Sequence, residues 1–211
     1  MKRNSVQFLK EKQKDVMKKI LVAYYSESGS TKEIAVEIGK QFTSAQVDVL
    51  TVQEVDHLAY DIIVLGSPNR YGKPATELIQ FLKKNEAKLT KIPIAFFFSC
   101  MDCYRSDQES NLDIDVYCDS NFQDQIRDLN KLSSWEKSHA VSSYLENLTG
   151  ISKDINIQSI AFFKGRLDFK KLSFFNALVM RLVCLLNKNI KKGDYFKSKD
   201  IIDWSYNLIL A

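Results

Sequence analysis

Apolar runs and four-residue apolar spacings alternate along the chain, and the alternation predicts the elements. Ile20–Tyr25 reads as a buried strand, followed by a helix over Thr31–Phe42 with Ile34, Ile38 and Phe42 on one face. Val47–Val52 and Asp61–Gly66 read as the second and third strands. A helix over Thr76–Lys88 turns Leu78, Ile79 and Leu82 inward. Ile92–Ser99 is a fully apolar fourth strand. Ser133–Leu148 reads as one helix, with Gly150 as its C′ residue. Ile157–Phe163 is the fifth strand, and Ser173–Asn187 and Asp200–Leu210 are the last helices. Five apolar strands alternating with helices imply an α/β fold, a doubly wound five-stranded parallel sheet covered on both faces. Right-handed crossovers favour the order 2-1-3-4-5. Ligands of such sheets sit beyond the carboxyl ends of the strands, so the loops after strands one, three and four should form the site. Two insertions exceed this minimum. Cys100–Leu132, after strand four, reads as a long polar connection, and Gly165–Lys199, after strand five, is basic and apolar.

Size and composition narrow this only a little. The 211 residues fit one domain, assigned to 17–211, with 1–16 as a basic N-terminal extension. That extension lacks the apolar segment of a secretory signal, and Met17 is a candidate internal start. The net charge of +4 is uneven: lysines gather at the N-terminus and at Lys164–Lys199, while Asp102–Asp128 is acidic. Cys100 and Cys103 form a CxxC, but without a second close pair it reads as unrelated thiols of a reducing cytosol rather than a metal site. His57 and His139 have no partner pattern, and surface roles are expected for both.

The chemistry is carried by two loops. In the first, Ser26, Glu27, Ser28, Gly29, Ser30 and Thr31 join the first strand to a helix start. Backbone N–H groups there attract a phosphate, the hydroxyls add donors, and Gly29 lets the backbone approach closely. A single cap needs one hydroxyl; here four surround a glycine. The loop has no lysine, and neither GxxxxGK[ST] nor GxGxxG occurs, which disfavours a nucleoside triphosphate or a dinucleotide and points to flavin mononucleotide (FMN). The second loop, after strand three, runs Gly66, Ser67, Pro68, Asn69, Arg70, Tyr71, Gly72, Lys73, Pro74. Tyr71 offers a flat face to an isoalloxazine ring. Arg70 or Lys73 can hold its electron-rich edge or a substrate carboxylate.

With these residues the chain resembles the flavodoxins. SESGST fits the pattern [ST]-x-[ST]-G-x-T, and GSPNRYGKP is similar to the flavodoxin loop beside the ring. It also resembles the menaquinone-dependent protoporphyrinogen IX dehydrogenases of flavodoxin-like fold. The shared features are Arg70-Tyr71-Gly72, the insertion Gly165–Asn187, the turn Lys192-Gly193-Asp194, and Asp203-Trp204. The resemblance implies a flavodoxin-like fold, FMN as cofactor, and a dehydrogenase passing electrons from a porphyrinogen to a quinone. Ser99, Cys100, Met101 and Asp102 would flank the ring together with Tyr71, and Arg70 and Tyr71 would be the catalytic candidates. No metal and no nucleic acid are implied.

Ser173–Asn187, too short to span a bilayer and flanked by lysines, suits an anionic membrane surface near a lipid-soluble quinone; it would equally suit a core helix. A cytoplasmic protein, peripheral on the inner face of the cell membrane, is then expected. Two rival readings remain: an electron carrier that docks a redox protein through Asp102–Asp128, and a general quinone reductase using reduced nicotinamide. The long loop after strand four and the first sixteen residues depart from the resemblance.

Overall fold

The computed structural model describes residues 17–70, 72–105, 114–125, 128–151, 154–172, 174–186 and 190–210. A parallel sheet organises the chain. Its strands are β1 (Lys19–Tyr24), β2 (Gln46–Thr51), β3 (Ile62–Arg70), β5 (Ile94–Cys100), β6 (Asp115–Cys118) and β7 (Ile157–Lys164), in the order β2-β1-β3-β5-β7-β6. The five strands expected from the sequence thus lie in the expected order. The short β4 (Lys73–Pro74) folds back antiparallel on the end of β3.

Strand β6 is the difference. It lies in the connection that reads as polar loop, and it pairs in parallel with the outer edge of β7. An edge strand buries little, and in Asp115–Cys118 only Cys118 is fully buried, so no apolar run marks it.

Period-two alternation divides the core into two layers. From β1, Leu21 and Ala23 face one layer, and Ile20, Val22 and Tyr24 face the other. The first layer packs under α2 (Thr76–Leu89) and α4 (Val141–Thr149) through Leu78, Phe81, Leu82, Tyr144 and Leu148. The second packs under α1 (Ser30–Gln41) and α6 (Ser198–Leu210). Trp204 anchors α6: fully buried, it meets Phe97 and Phe163 edge-on, and its Nε1–H donates to Ser159 Oγ at 2.9 Å.

The helix expected over Ser133–Leu148 is broken into α3 (Ser134–Lys137) and α4. Ser133 and Glu136 form a reciprocal capping box that starts α3. The chain then extends so that Tyr104 N–H donates to His139 O at 3.0 Å and Val141 N–H donates to Tyr104 O at 3.0 Å. Tertiary pairing overrides helical propensity at that point. Gly150 ends α4 in right-handed geometry (φ −68°), not as the left-handed C′ residue its identity suggests. Helix α5 (Phe174–Leu186) and the ribbon of β8 (Arg166–Leu167) with β9 (Gly193–Asp194) form the insertion after β7.

Candidate functional site

The carboxyl ends of β1, β3 and β5 meet the start of the insertion and leave a cleft between them. Its wall includes Ser28, Ser30, Pro68, Asn69, Arg70, Ser99, Cys100, Met101 and Asp102, all among the residues singled out by sequence. Thr31 and Ser67 are buried, and Lys73 is exposed in β4, outside this wall. Tyr71 lies outside the described residues.

The first loop turns on Gly29, whose φ of +96° is a backbone state that side chains disfavour. Its N–H donates to Ser26 Oγ at 3.1 Å. As the residue preceding α1 it has no side chain to cap the helix, and no side-chain capping bond is made there. A Cβ built on Gly29 would meet nothing within 4 Å. The hydroxyls divide their work. Ser30 Oγ accepts Arg166 N–H at 3.1 Å, tying the loop to the insertion. Thr31 and Ser99 share a buried hydroxyl–hydroxyl bond of 2.8 Å, tying it to β5. Ser28 stands at the cleft wall.

The second loop is a hairpin held from several sides. Ser67 Oγ accepts Ala75 N–H at 2.9 Å, and Gly72 O accepts from Asn147 Nδ2 at 2.7 Å. Gly72 (φ +75°) sits so close to α3's end that a Cβ would lie 2.4 Å from Ser138 O. Arg70 forms an ion pair with Glu27 of the first loop, and Glu27 also accepts from Asn176 Nδ2 of α5 at 3.1 Å. Glu27 therefore bridges both loops and the insertion. Asn69 Oδ1 is buried, with no hydrogen-bond partner among the described residues.

After β5, Asp102 is buried and accepts from the Tyr104 hydroxyl at 2.8 Å, while its C=O accepts from the Tyr144 hydroxyl at 3.2 Å. Cys100, Cys103 and Cys118 are buried and form no disulfide, with Cys103 Sγ 3.9 Å from Cys118 Sγ. Burial pushes the Cys100 and Cys103 thiols up, which keeps them protonated. Among the described residues, no group of three or more His, Cys, Asp and Glu is placed to hold a metal ion. The acidic stretch expected to form a docking face is split: Asp102 and Asp119 are buried, and Asp115 and Asp128 are exposed. Residues 106–113 lie outside the described residues. Burial raises the Asp119 carboxyl, against the pull of the Lys164 and Asn121 N–H groups that donate to it.

Several lining residues escape a reading of the sequence. His139, expected at the surface, is half-buried and lines the cleft because the break between α3 and α4 turns it there; its ring lies 3.0 Å from Ser138 Oγ. Arg166 makes two bonds of 3.0 Å to the Glu33 carboxylate and one of 2.9 Å to Asp194. The Asp194 bond is the main reason its guanidinium pKa is raised further. Its one sequence signal is Glu33 in the first helical turn. Leu172, Met180 and Val183 of the insertion supply an apolar wall.

The donor set fits FMN. A helix start without a side-chain cap suits a phosphate, and the apolar wall suits a ring. Two relatives are similar in sequence. The protoporphyrinogen IX dehydrogenase (quinone) of Leishmania major is 22% identical over 195 residues, covering 89% of this chain and 70% of that one. The enzyme of the same name from Escherichia coli K12 is 30% identical over 84 residues, 37% of this chain and less than half (46%) of its own length. Among solved structures, a short-chain flavodoxin associated with a non-canonical PDU bacterial microcompartment aligns over 92% of this chain and 98% of its own. Its TM-score is 0.50 and its identity 11%, a likeness of fold. The flavodoxin domain family matches residues 21–194, from β1 through the Gly193-Asp194 turn, and the chain belongs to that family, whose cofactor is FMN.

Proposed function

We propose that this flavoprotein is a dehydrogenase that oxidises a porphyrinogen, protoporphyrinogen IX in the first instance, and delivers the electrons to a quinone at a membrane surface. The observation that carries the reading is helix α5. One side of it (Asn176, Met180, Val183) walls the cleft, while Phe174, Phe175, Leu178, Leu182, Leu185 and Leu186 of the same helix are 55–88% exposed. Apolar reactants reaching the cleft from a lipid phase would meet a continuous apolar path. The names of the two relatives support the same substrates.

FMN bound in the cleft would supply two-electron redox chemistry. The residues of the chain do the rest. The Gly29 turn and the N–H groups of α1 would hold the phosphate. Arg70, half-exposed at the cleft beside Glu27, would meet a substrate propionate. Leu172, Met180 and Val183 exclude water. Full oxidation removes six hydrogen atoms from the porphyrinogen in three rounds, and three quinones become three quinols.

No helix among the described residues is long and apolar enough to cross a membrane. The exposed face of α5 has exposed Lys170 before it and Lys191 and Lys192 after it, which suits the surface of an anionic bilayer. Anaerobic mixing of FMN-loaded protein with protoporphyrinogen IX should bleach the flavin, and a menaquinone analogue should restore its colour as porphyrin fluorescence grows. A flavin that stays oxidised with porphyrinogen refutes the porphyrinogen dehydrogenase and leaves the electron carrier and the nicotinamide-dependent quinone reductase, which reduced nicotinamide then separates.

A further inference from the structure

Resting on the reading of the Gly29 turn as the phosphate cradle, we propose that Arg166 of the insertion is a positioning residue for phosphate binding: it cancels the Glu33 carboxylate, which would otherwise repel the phosphate from the start of α1. Glu33 stands in the first turn of α1, and its N–H donates to Gly29 O at 3.0 Å. A carboxylate there suits the helix by itself but competes with any second anion at the same end. Arg166 covers it with a planar fork, Nη1–H and Nη2–H donating to the two Glu33 oxygens at 3.0 Å each. The main-chain N–H of Arg166 donates to Ser30 Oγ at 3.1 Å, so the guanidinium is registered against the loop by a second, independent bond. Asp194 of β9 accepts from Nε–H at 2.9 Å and holds the guanidinium from the ribbon.

The other charges around the loop leave this task to Arg166. Lys32, also in the first turn, is exposed and acts on Glu54. Arg70 is paired with Glu27, a carboxylate of the loop itself. The lysine-free loop and helix start thus carry two carboxylates, Glu27 and Glu33, and each meets an arginine from another element, β3 and β8. One guanidinium between Glu33 and Asp194 leaves a single negative charge. Its removal would leave two, beside a phosphate that carries close to two of its own. Arg166 and Glu33 are both partly buried, so salt screens this repulsion only in part.

The test titrates the full chain, stripped of flavin, with FMN and with riboflavin, which lacks the phosphate, and reads flavin fluorescence. Wild type should prefer FMN. At about 20 mM salt, Arg166→Gln should weaken FMN about five- to tenfold and leave riboflavin within about twofold; at about 0.5 M salt the FMN loss should shrink to about twofold. The main-chain bond to Ser30 is available to every variant. Adding Glu33→Gln to Arg166→Gln should return FMN to within about twofold of wild type, because the charge that needed cover is gone. Glu33→Gln alone should bind FMN about two- to threefold more tightly. A double variant that stays weak overturns the proposal, as does an Arg166→Gln protein that loses both flavins by the same factor, the mark of a purely structural clamp. Unchanged or weaker FMN binding by Glu33→Gln alone overturns it even where the Arg166 variant does not fold. Equal binding of FMN and riboflavin by wild type would instead remove the phosphate cradle itself, and the wild-type titrations alone read that out.

Discussion

Substituting Gly29 by alanine sets two opposed effects against each other at the entrance to the phosphate loop. Replacing glycine reduces the freedom of the unfolded chain and, where the native backbone permits a side chain, stabilises by about 0.4–1 kcal/mol. Here φ is +96°, and an L-residue with positive φ costs about 1–2 kcal/mol. No steric term adds to this, because nothing lies within 4 Å of the new Cβ. The net expectation is destabilisation by about 0.5–1 kcal/mol, with a fall in Tm of about 2–3 °C for a chain of this size. Gly29→Asn should cost less, since asparagine tolerates positive φ better than alanine. The functional loss should exceed the structural one: an alanine that relaxes towards negative φ turns the loop N–H groups away from the phosphate. Urea unfolding without ligand gives the first quantity and FMN fluorescence titration the second. A Gly29→Ala protein more stable than wild type, or one with unchanged FMN affinity, would refute the argument.

Gly66→Ala contrasts with it, because the new Cβ would lie 2.0 Å from the Phe97 ring, which is buried against Trp204. Overpacking of about 3 kcal/mol is expected, and an unchanged urea midpoint contradicts it. Burial and the 2.8 Å bond to Asp48 push Tyr60 up to about 12. With the folded value above the unfolded one of about 10, its contribution is full below pH 10 and is lost as pH rises through about 12. Tyr60→Phe should remove that part of the alkaline slope in unfolding midpoints measured at pH 9–12. An aromatic disulfide reagent should titrate Cys184 in the native protein, and Cys100, Cys103 and Cys118 only after denaturation. Rapid reaction of more than one native thiol disproves that burial. Replacing Phe174, Phe175 and Leu178 together by serine should abolish sedimentation with anionic vesicles and leave FMN affinity within twofold. Undiminished vesicle binding refutes the lipid surface.

The sheet was legible because its four central strands, β1, β3, β5 and β7, are largely buried on both faces and therefore write apolar runs, as in IAFFFSC of β5. The edge strand β6 has one shielded side and four residues, too little to distinguish from loop. The same contrast governs the site. Ser26–Thr31 and Gly66–Lys73 were visible because loop chemistry is local: a glycine that takes positive φ and hydroxyls near a helix start recur at fixed spacing. His139 and Arg166 were not, since each reaches the cleft through contacts distant in sequence. His139 depends on the Tyr104 bridge that interrupts a helical pattern. Arg166 depends on its bonds to Glu33 and Asp194, separated from it by 133 and 28 positions.

Helix α5 bears on the choice between the proposed dehydrogenase and a carrier. Its thirteen residues bury none fully, although most are apolar. A helix of that length is marginal in water by itself, and cover along its outer face would add to what its cleft side supplies. Six large apolar side chains at about 1.5–3 kcal/mol each would give on the order of 10 kcal/mol if wholly removed from water, and about half of that at a bilayer interface that immerses one side. A contribution of that size is enough for reversible surface binding when lysines at both ends add attraction to anionic lipid. A carrier, by contrast, hands electrons to soluble proteins across a solvent-facing edge, where such a wall would obstruct docking and the exposed leucines would promote aggregation. Asn176 ties the helix to Glu27 at 3.1 Å, and Glu27 pairs with Arg70. Glu27 thus links the face proposed to meet lipid with the loops proposed to hold the cofactor. That arrangement serves a reactant arriving from a membrane better than a partner arriving through water.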